Sequence, residues 1–251
     1  MASSSSGSAA DSTSTGLPPG STGPLDSSDT VGASSGAAAR CGDGNVEGDE
    51  QCDDRNDDDL DGCLRDCRNG PIGIALEPGS TLTPYGSQSG GDPYDDACPE
   101  GEVVVGLRGE ATDVVTRMRA VCGAIGLVDP QEIALGVVES SETPLRGEES
   151  GTPYEALCGT GSVVVGALLR SGSGVDQVRL RCAALTLSDD GRSLVVALGP
   201  ADDLPPFGGN GGVQAPQTDC PPGELVAELN LRSGDRIDAL GMSCSGLELV
   251  Y

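Results

Sequence analysis

The chain has no histidine, no lysine and no tryptophan, and only one phenylalanine among its 251 residues. Without His and Lys the commonest general bases and amine nucleophiles are missing, which points away from an enzyme. Carboxylate pairs keep a glycosidase formally open, but with 40 acidic residues any single pair is uninformative. Phosphate-loop, dinucleotide and zinc signatures are missing too. No apolar run is long enough to read as a transmembrane helix. The start, "MASSSSGSAADSTSTG", lacks the basic and apolar stretches of an export signal. Positive charge is also scarce: all 14 basic residues are Arg and the net charge is -26, so nucleic acid and anionic membranes are poor partners.

Glycine (39), proline (17) and cysteine (10) are present in force. So many cysteines in a chain that is 36% hydrophobic predict disulfides supplementing a thin Val/Leu/Ala/Ile core, in an oxidising, extracellular or outer-surface setting. Residues 1–40 are Ser/Gly-rich and read as a disordered tether. Such a tail fits a spacer below a lipid anchor lying upstream.

Residues 41–68 form a small acidic cysteine-rich unit, with Cys41, Cys52, Cys63 and Cys67 and almost no apolar side chains between them. Only cross-links or metal can hold such a segment in shape. Its "CGDG", "CDD" and "DGC" elements resemble a short cysteine-rich repeat of myxobacterial surface proteins, except that Arg55 stands where that repeat commonly has Gly. The resemblance implies two local disulfides and an extracellular location, and no activity. Asp57, Asp59 and Asp61 have the spacing of the first half of a calcium loop, but the twelfth position is Arg68. An EF-hand is therefore excluded. The 53–62 loop reads either as a partial oxygen cage for calcium or as a solvated acidic turn.

Beyond residue 71 the chain repeats. Cys98, Cys158 and Cys220 are each followed 24 positions later by Cys122, Cys182 and Cys244. Each interval reads as two alternating apolar strands around a polar turn. If those strands pair, each repeat's cysteines face one another at the open end of a hairpin, within reach of a disulfide. A strand and a Gly-rich loop precede each hairpin. Three such units, closed by pairing of the terminal strands, predict an all-β, threefold pseudo-symmetric array of about twelve strands over residues 71–251, which looks like the β-prism fold.

The segments "CPEGEVVVGL", "CPPGELVAEL" and "RSGDRIDALGM" make this region similar to two β-prism families, the vitelline-membrane outer-layer proteins and the jacalin-related lectins. The lectin resemblance implies a sugar held between a Gly-x-x-x-Asp turn and a Gly-rich loop. Carried over, the turns are Gly172 to Asp176 and Gly234 to Asp238, the latter with Asp235 at its tip. The best loop is "GGNGG", with Gly208, Gly209, Gly211 and Gly212; "GSQSGG" (86–91) and "GEESG" (147–151) match less well. Thr112 and Thr116 occupy the turn positions in the first repeat, so no site is expected there. Asp176 and Asp238 equally suit plain turn formers, since Asp bonds nearby backbone amides. Tyr85, Tyr94, Tyr154 and Phe207 read as plugs for the prism ends. The expected protein is a non-enzymatic, lectin-like binder of extracellular or cell-wall polysaccharide; a purely structural or protein-adhesion module is the alternative.

Overall fold

The computed structural model describes residues 40–131, 133–216 and 218–251; the tether expected over 1–40 lies, apart from Arg40, outside the described residues. Among them are seventeen strands and no helix. The first loop region supplies β1 (Gly73–Thr81), β2 (Tyr85–Gly86) and β3 (Asp92–Ala97), and the first hairpin β4 (Glu102–Ala111) and β5 (Val115–Val128). The second repeat adds β6 (Ala134–Glu142), β7 (Arg146–Gly147) and β8 (Thr152–Leu157), then β9 (Ser162–Ser171) and β10 (Val175–Asp189). The third has β11 (Leu194–Leu198), β12 (Asp202–Asp203), β13 (Phe207–Gly208), β14 (Val213–Gln214) and β15 (Thr218–Asp219), then β16 (Glu224–Ser233) and β17 (Ile237–Val250).

They form three antiparallel sheets, and no sheet corresponds to one repeat of sequence. Each hairpin pairs with the strands and loop of the following repeat, in the orders β6-β5-β4-β8 and β11-β10-β9-β14. The third hairpin returns to the first loop region as β1-β17-β16-β3, with Gly73 opposite Val250, so the terminal strands close the prism. Closure removes two edges that would otherwise be open to pairing with other chains.

Three small-residue hairpins can share one interior because their inward faces interdigitate. Leu107 and Met118, Leu169 and Leu180, and Leu229 and Met242, from the three hairpins in turn, are buried in one cluster. Phe207 is buried there and stacks on Tyr154 at 3.6 Å between ring centres, with Tyr85 and Tyr94 packed on the same cluster. Burial accordingly pushes the Tyr154 phenol far above its ordinary range.

Each hairpin carries two bulges. One sits after the first strand's apolar triplet, at Val105, Val165 and Ala227, and the carbonyl of that residue accepts the amide of Cys158, Cys220 and Cys98 respectively, at 2.9, 2.9 and 3.0 Å. This gives the disulfides a different placement from the one expected. Cys98 bonds Cys122, Cys158 bonds Cys182 and Cys220 bonds Cys244, but each second cysteine lies opposite a valine (Val104, Val164, Val226), not opposite its partner. The first cysteine of each pair stands in the connection before the hairpin, so the bond ties that connection to the hairpin's second strand.

In the acidic unit the bonds are Cys41–Cys67 and Cys52–Cys63. The carboxylate of Asp53 gathers the amides of Gly42, Asp43, Gly44 and Arg55. Desolvation works against that charge, but the four amides outweigh it and hold the Asp53 carboxyl below its usual range. Arg55 has a positive φ of 66°, the backbone region that favours Gly. The unit meets the prism at one end: Arg68 reaches Asp189 at the end of β10 with both terminal nitrogens, at 3.0 and 2.5 Å, and the Asp59 amide donates to Pro130 O at 3.0 Å. The hairpin turns lie at the opposite ends of these strands, roughly 45 Å away along the 14 residues of β5.

Candidate functional site

All three hairpin turns gather at the end of the prism remote from the acidic unit. Arg236 donates to Ser173 O at 3.1 Å, linking the third turn to the second. A Cβ on Gly209 would lie 2.5 Å from Asp113 O, so the third repeat's loop presses on the first turn.

The second bulge of each hairpin falls on the fifth position of the turn motif. Val175 pairs with Ser171 and Gln177 with Arg170, leaving Asp176 as the extra residue; Asp238 and Thr116 are extra in the same way. A bulge redirects a side chain out of strict alternation. Here it leaves the aspartate at the strand's mouth instead of inside the apolar core. That is where the carboxylate meets glycine backbone.

Around Asp176, the glycines expected to serve it do approach. A Cβ on Gly211 would be 2.4 Å from Asp176 Oδ1, and one on Gly212 would be 2.5 Å from Oδ2. Gly208, at φ 90°, brings Gly209 close enough for its amide to donate to Asp176 O at 2.8 Å. Gly172 stands beside them, its Cβ position 3.6 Å from the Gly212 Cα. Only glycine permits this approach. Asp176 Oδ2 is buried and accepts no hydrogen bond from the protein.

Around Asp238 the same arrangement is built from the "GSQSGG" loop, not from "GGNGG". A Cβ on Gly90 would lie 2.7 Å from Asp238 Oδ1 and one on Gly91 2.6 Å from Oδ2, and the Ser87 amide donates to Asp238 O at 2.8 Å. Gly90 and Gly91 thus join the candidate set, which the order of repeats along the chain disguises. Gly234 faces Gly91 across the site and Asp235 is exposed at the tip of the turn.

Two further residues went unassigned in the sequence although their motif repeats visibly. Arg170 donates from Nε to Gly211 O and from Nη2 to Gly212 O, at 2.9 and 3.0 Å. Arg232 does the same to Gly90 O and Gly91 O, at 2.8 and 2.7 Å. The planar fork of a guanidinium is suited to holding two adjacent carbonyls, which turns the N–H groups of the same two peptide planes, those of the second glycine and the residue after it, the other way. This explains why Leu-Arg-Ser-Gly stands both at 169–172 and at 231–234. In the first repeat the arginine is replaced by Glu110, buried and paired with Arg117 at 2.5 Å, and the Thr116 hydroxyl is spent on the carbonyls of Glu110 and Ser150. The first turn thus lacks the aspartate and the clamping arginine, and in the loop that serves it Ser150 replaces the first glycine of the pair while Gly151 keeps the second.

The calcium trio does not assemble. Asp59 is buried and its carboxylate holds Arg65 at 2.7 Å, while Asp61 accepts the Asn56 amide at 2.8 Å, which holds its carboxyl below the usual range. Among the described residues the one acidic or sulfur group whose ligand atoms lie within 4.8 Å of one another is Glu50, Asp53 and Cys67, and the Cys67 sulfur is already bonded to Cys41.

No protein-family model and no curated protein sequence matches the chain. Several solved structures are similar to it. Malaysian banana lectin is 16% identical, with 66% of this chain and 97% of the lectin covered and a TM-score of 0.44. A mannose-specific jacalin-related lectin from Morus nigra, solved with mannose, is 13% identical, with 67% and 96% covered and a TM-score of 0.45. A mannose-binding jacalin-related lectin from Ananas comosus is 12% identical, with 70% and 99% covered and a TM-score of 0.44.

Proposed function

We propose that this protein is a non-enzymatic, lectin-like carbohydrate binder with two sites, one at Asp176 with Gly211 and Gly212, the other at Asp238 with Gly90 and Gly91. The observation that supports it most is the buried Asp176 Oδ2, which has no donor within the protein and lies against a glycine pair whose carbonyls are already held by Arg170. Leaving a buried charged acceptor unpaired costs about 1–3 kcal/mol or more. A sugar hydroxyl supplies the missing donor, and glycine N–H groups can donate to its neighbour. Turn formation alone gives no reason for two such constructions complete with clamping arginines. Five disulfides fit an extracellular or otherwise oxidising setting, where the partner is a cell-wall or extracellular polysaccharide.

The test is calorimetric titration of the full, oxidised chain with mannose, glucose and galactose glycosides. Wild type is expected to bind two equivalents, Asp176→Ala and Asp238→Ala one each, and the double variant none while its melting temperature persists. A well-folded wild type that binds none of these sugars and retains no polysaccharide overturns the reading in favour of a structural or adhesion module.

A further inference from the structure

The three turns leave three junctions around the prism axis, and they are not alike. Arg236 closes the one between the second and third turns through Ser173, and Gly209 closes another by packing on Asp113. The third junction, between the Asp238 site and the first repeat, is a cavity of about 690 Å³. Asp235, Arg236 and Asp238 form one wall, and Thr112 of the first turn with Glu148 and Ser150 of the second repeat's loop form the other. That volume falls within the roughly 300–1,000 Å³ that accepts a drug-sized ligand, more than one hexose needs. Its walls are polar: carboxylates, hydroxyls, a guanidinium and the backbone of an exposed turn.

We infer that the two sites differ in the length of glycan they take: the Asp238 site continues into this cavity and binds a neutral oligosaccharide of two or more units, whereas the Asp176 site binds a single terminal sugar. The inference rests on the sugar-binding reading above. Three carboxylates against one guanidinium make the cavity hostile to uronate-bearing chains, since like charges are repelled most where water is displaced. The first turn, which has no aspartate of its own and meets Ser150 in place of the first glycine of its loop, serves here as the outer wall of its neighbour's site. Thr116 at its base is buried with its hydroxyl already engaged, so that wall offers contacts without a competing primary site.

The experiment uses the full chain as Asp176→Ala, with only the Asp238 site intact, and as Asp238→Ala, with only the Asp176 site intact. Each is titrated with methyl glycosides of mannose, glucose and galactose and with their α-linked di- and trisaccharides. For the sugar that binds, the Asp176→Ala protein is expected to gain about tenfold in affinity or more from mono- to trisaccharide, and the Asp238→Ala protein to stay within about twofold. Adding Glu148→Trp, at an exposed position, should fill the cavity and bring the tri- to monosaccharide ratio of the Asp176→Ala protein close to one. Equal gains at both sites, or a gain that survives Glu148→Trp, overturn the inference while leaving sugar binding intact. Absence of monosaccharide and oligosaccharide binding in wild type defeats both.

Discussion

Arg170 and Arg232 show how much of each candidate site depends on a side chain that braces its backbone. Each guanidinium holds two consecutive glycine carbonyls, and the peptide planes so fixed decide where the N–H groups of the second glycine and its successor point. In an Asp238→Ala background, where only one site contributes, Arg170→Ala is expected to weaken sugar binding by about tenfold or more. The same change should destabilise the fold by only about 1–2 kcal/mol, the scale of charge-assisted hydrogen bonds that are partly open to water. Arg170→Lys should fail to rescue binding, because an ammonium is a point donor and cannot span two carbonyls. Calorimetry beside thermal melts separates the outcomes: unaltered affinity with a lowered melting temperature would make the arginine a mere brace.

At the scale of the strand pair, the bulges and the disulfides act together. The upper bulge hands an aspartate to the turn in two hairpins and Thr116 in the first, while the lower one offers a carbonyl to the first cysteine of the next disulfide in all three. Cys158 and Cys182 close a 24-residue separation, for which loop-closure entropy predicts about 3 kcal/mol of stabilisation. Replacing both by Ala should lower the melting temperature by on the order of 6–12 °C for a domain of this size. Cys182 is nearly buried, so each alanine also opens some space and the lower end of that range is the less expected. Calorimetric melting of the paired variant checks this. Sugar binding at Asp176 should survive, because the bond lies far along β10 from the turn.

For the whole molecule, the decisive arrangement is polar opposition: the acidic unit is seated at one end and the candidate sites open at the other. Arg68 binds Asp189 and Asp66, which lifts the guanidinium further above its already high range, and Arg68 in turn holds the Asp189 carboxyl down at about 2. A depressed folded-state value means that this contact stabilises the seating above the free carboxylate range and weakens as pH falls from about 4 towards about 2. The pair is partly exposed to solvent, so added salt should weaken it as well. Amide hydrogen exchange in residues 60–70 is expected to stay slow down to about pH 4 and to quicken below it. Asp189→Asn should remove that pH dependence, and an unchanged profile in the variant would mean that the seating depends on the main-chain contacts to Pro130 and Val250 alone.

Much of this was legible in order along the chain. Equal cysteine spacings, alternating apolar residues and recurrent Leu-Arg-Ser-Gly specify three hairpins, because disulfide reach and strand periodicity are local properties. The departure of the first repeat from the turn pattern was likewise visible as Thr112 and Thr116. What the sequence could not express is which loop serves which turn. Each hairpin takes its edge strands from the next repeat, so Asp238 finds Gly90 and Gly91 almost a whole prism earlier in the chain, in a loop whose sequence alone ranked below "GGNGG". Nor could it show that Asp59 is claimed by Arg65, or that one junction of three stands open. Sequence alone determined the parts, through local spacing and backbone freedom; only the closure of the sheets decided which parts became neighbours, because a ring of strands joins residues by pairing and not by distance along the chain.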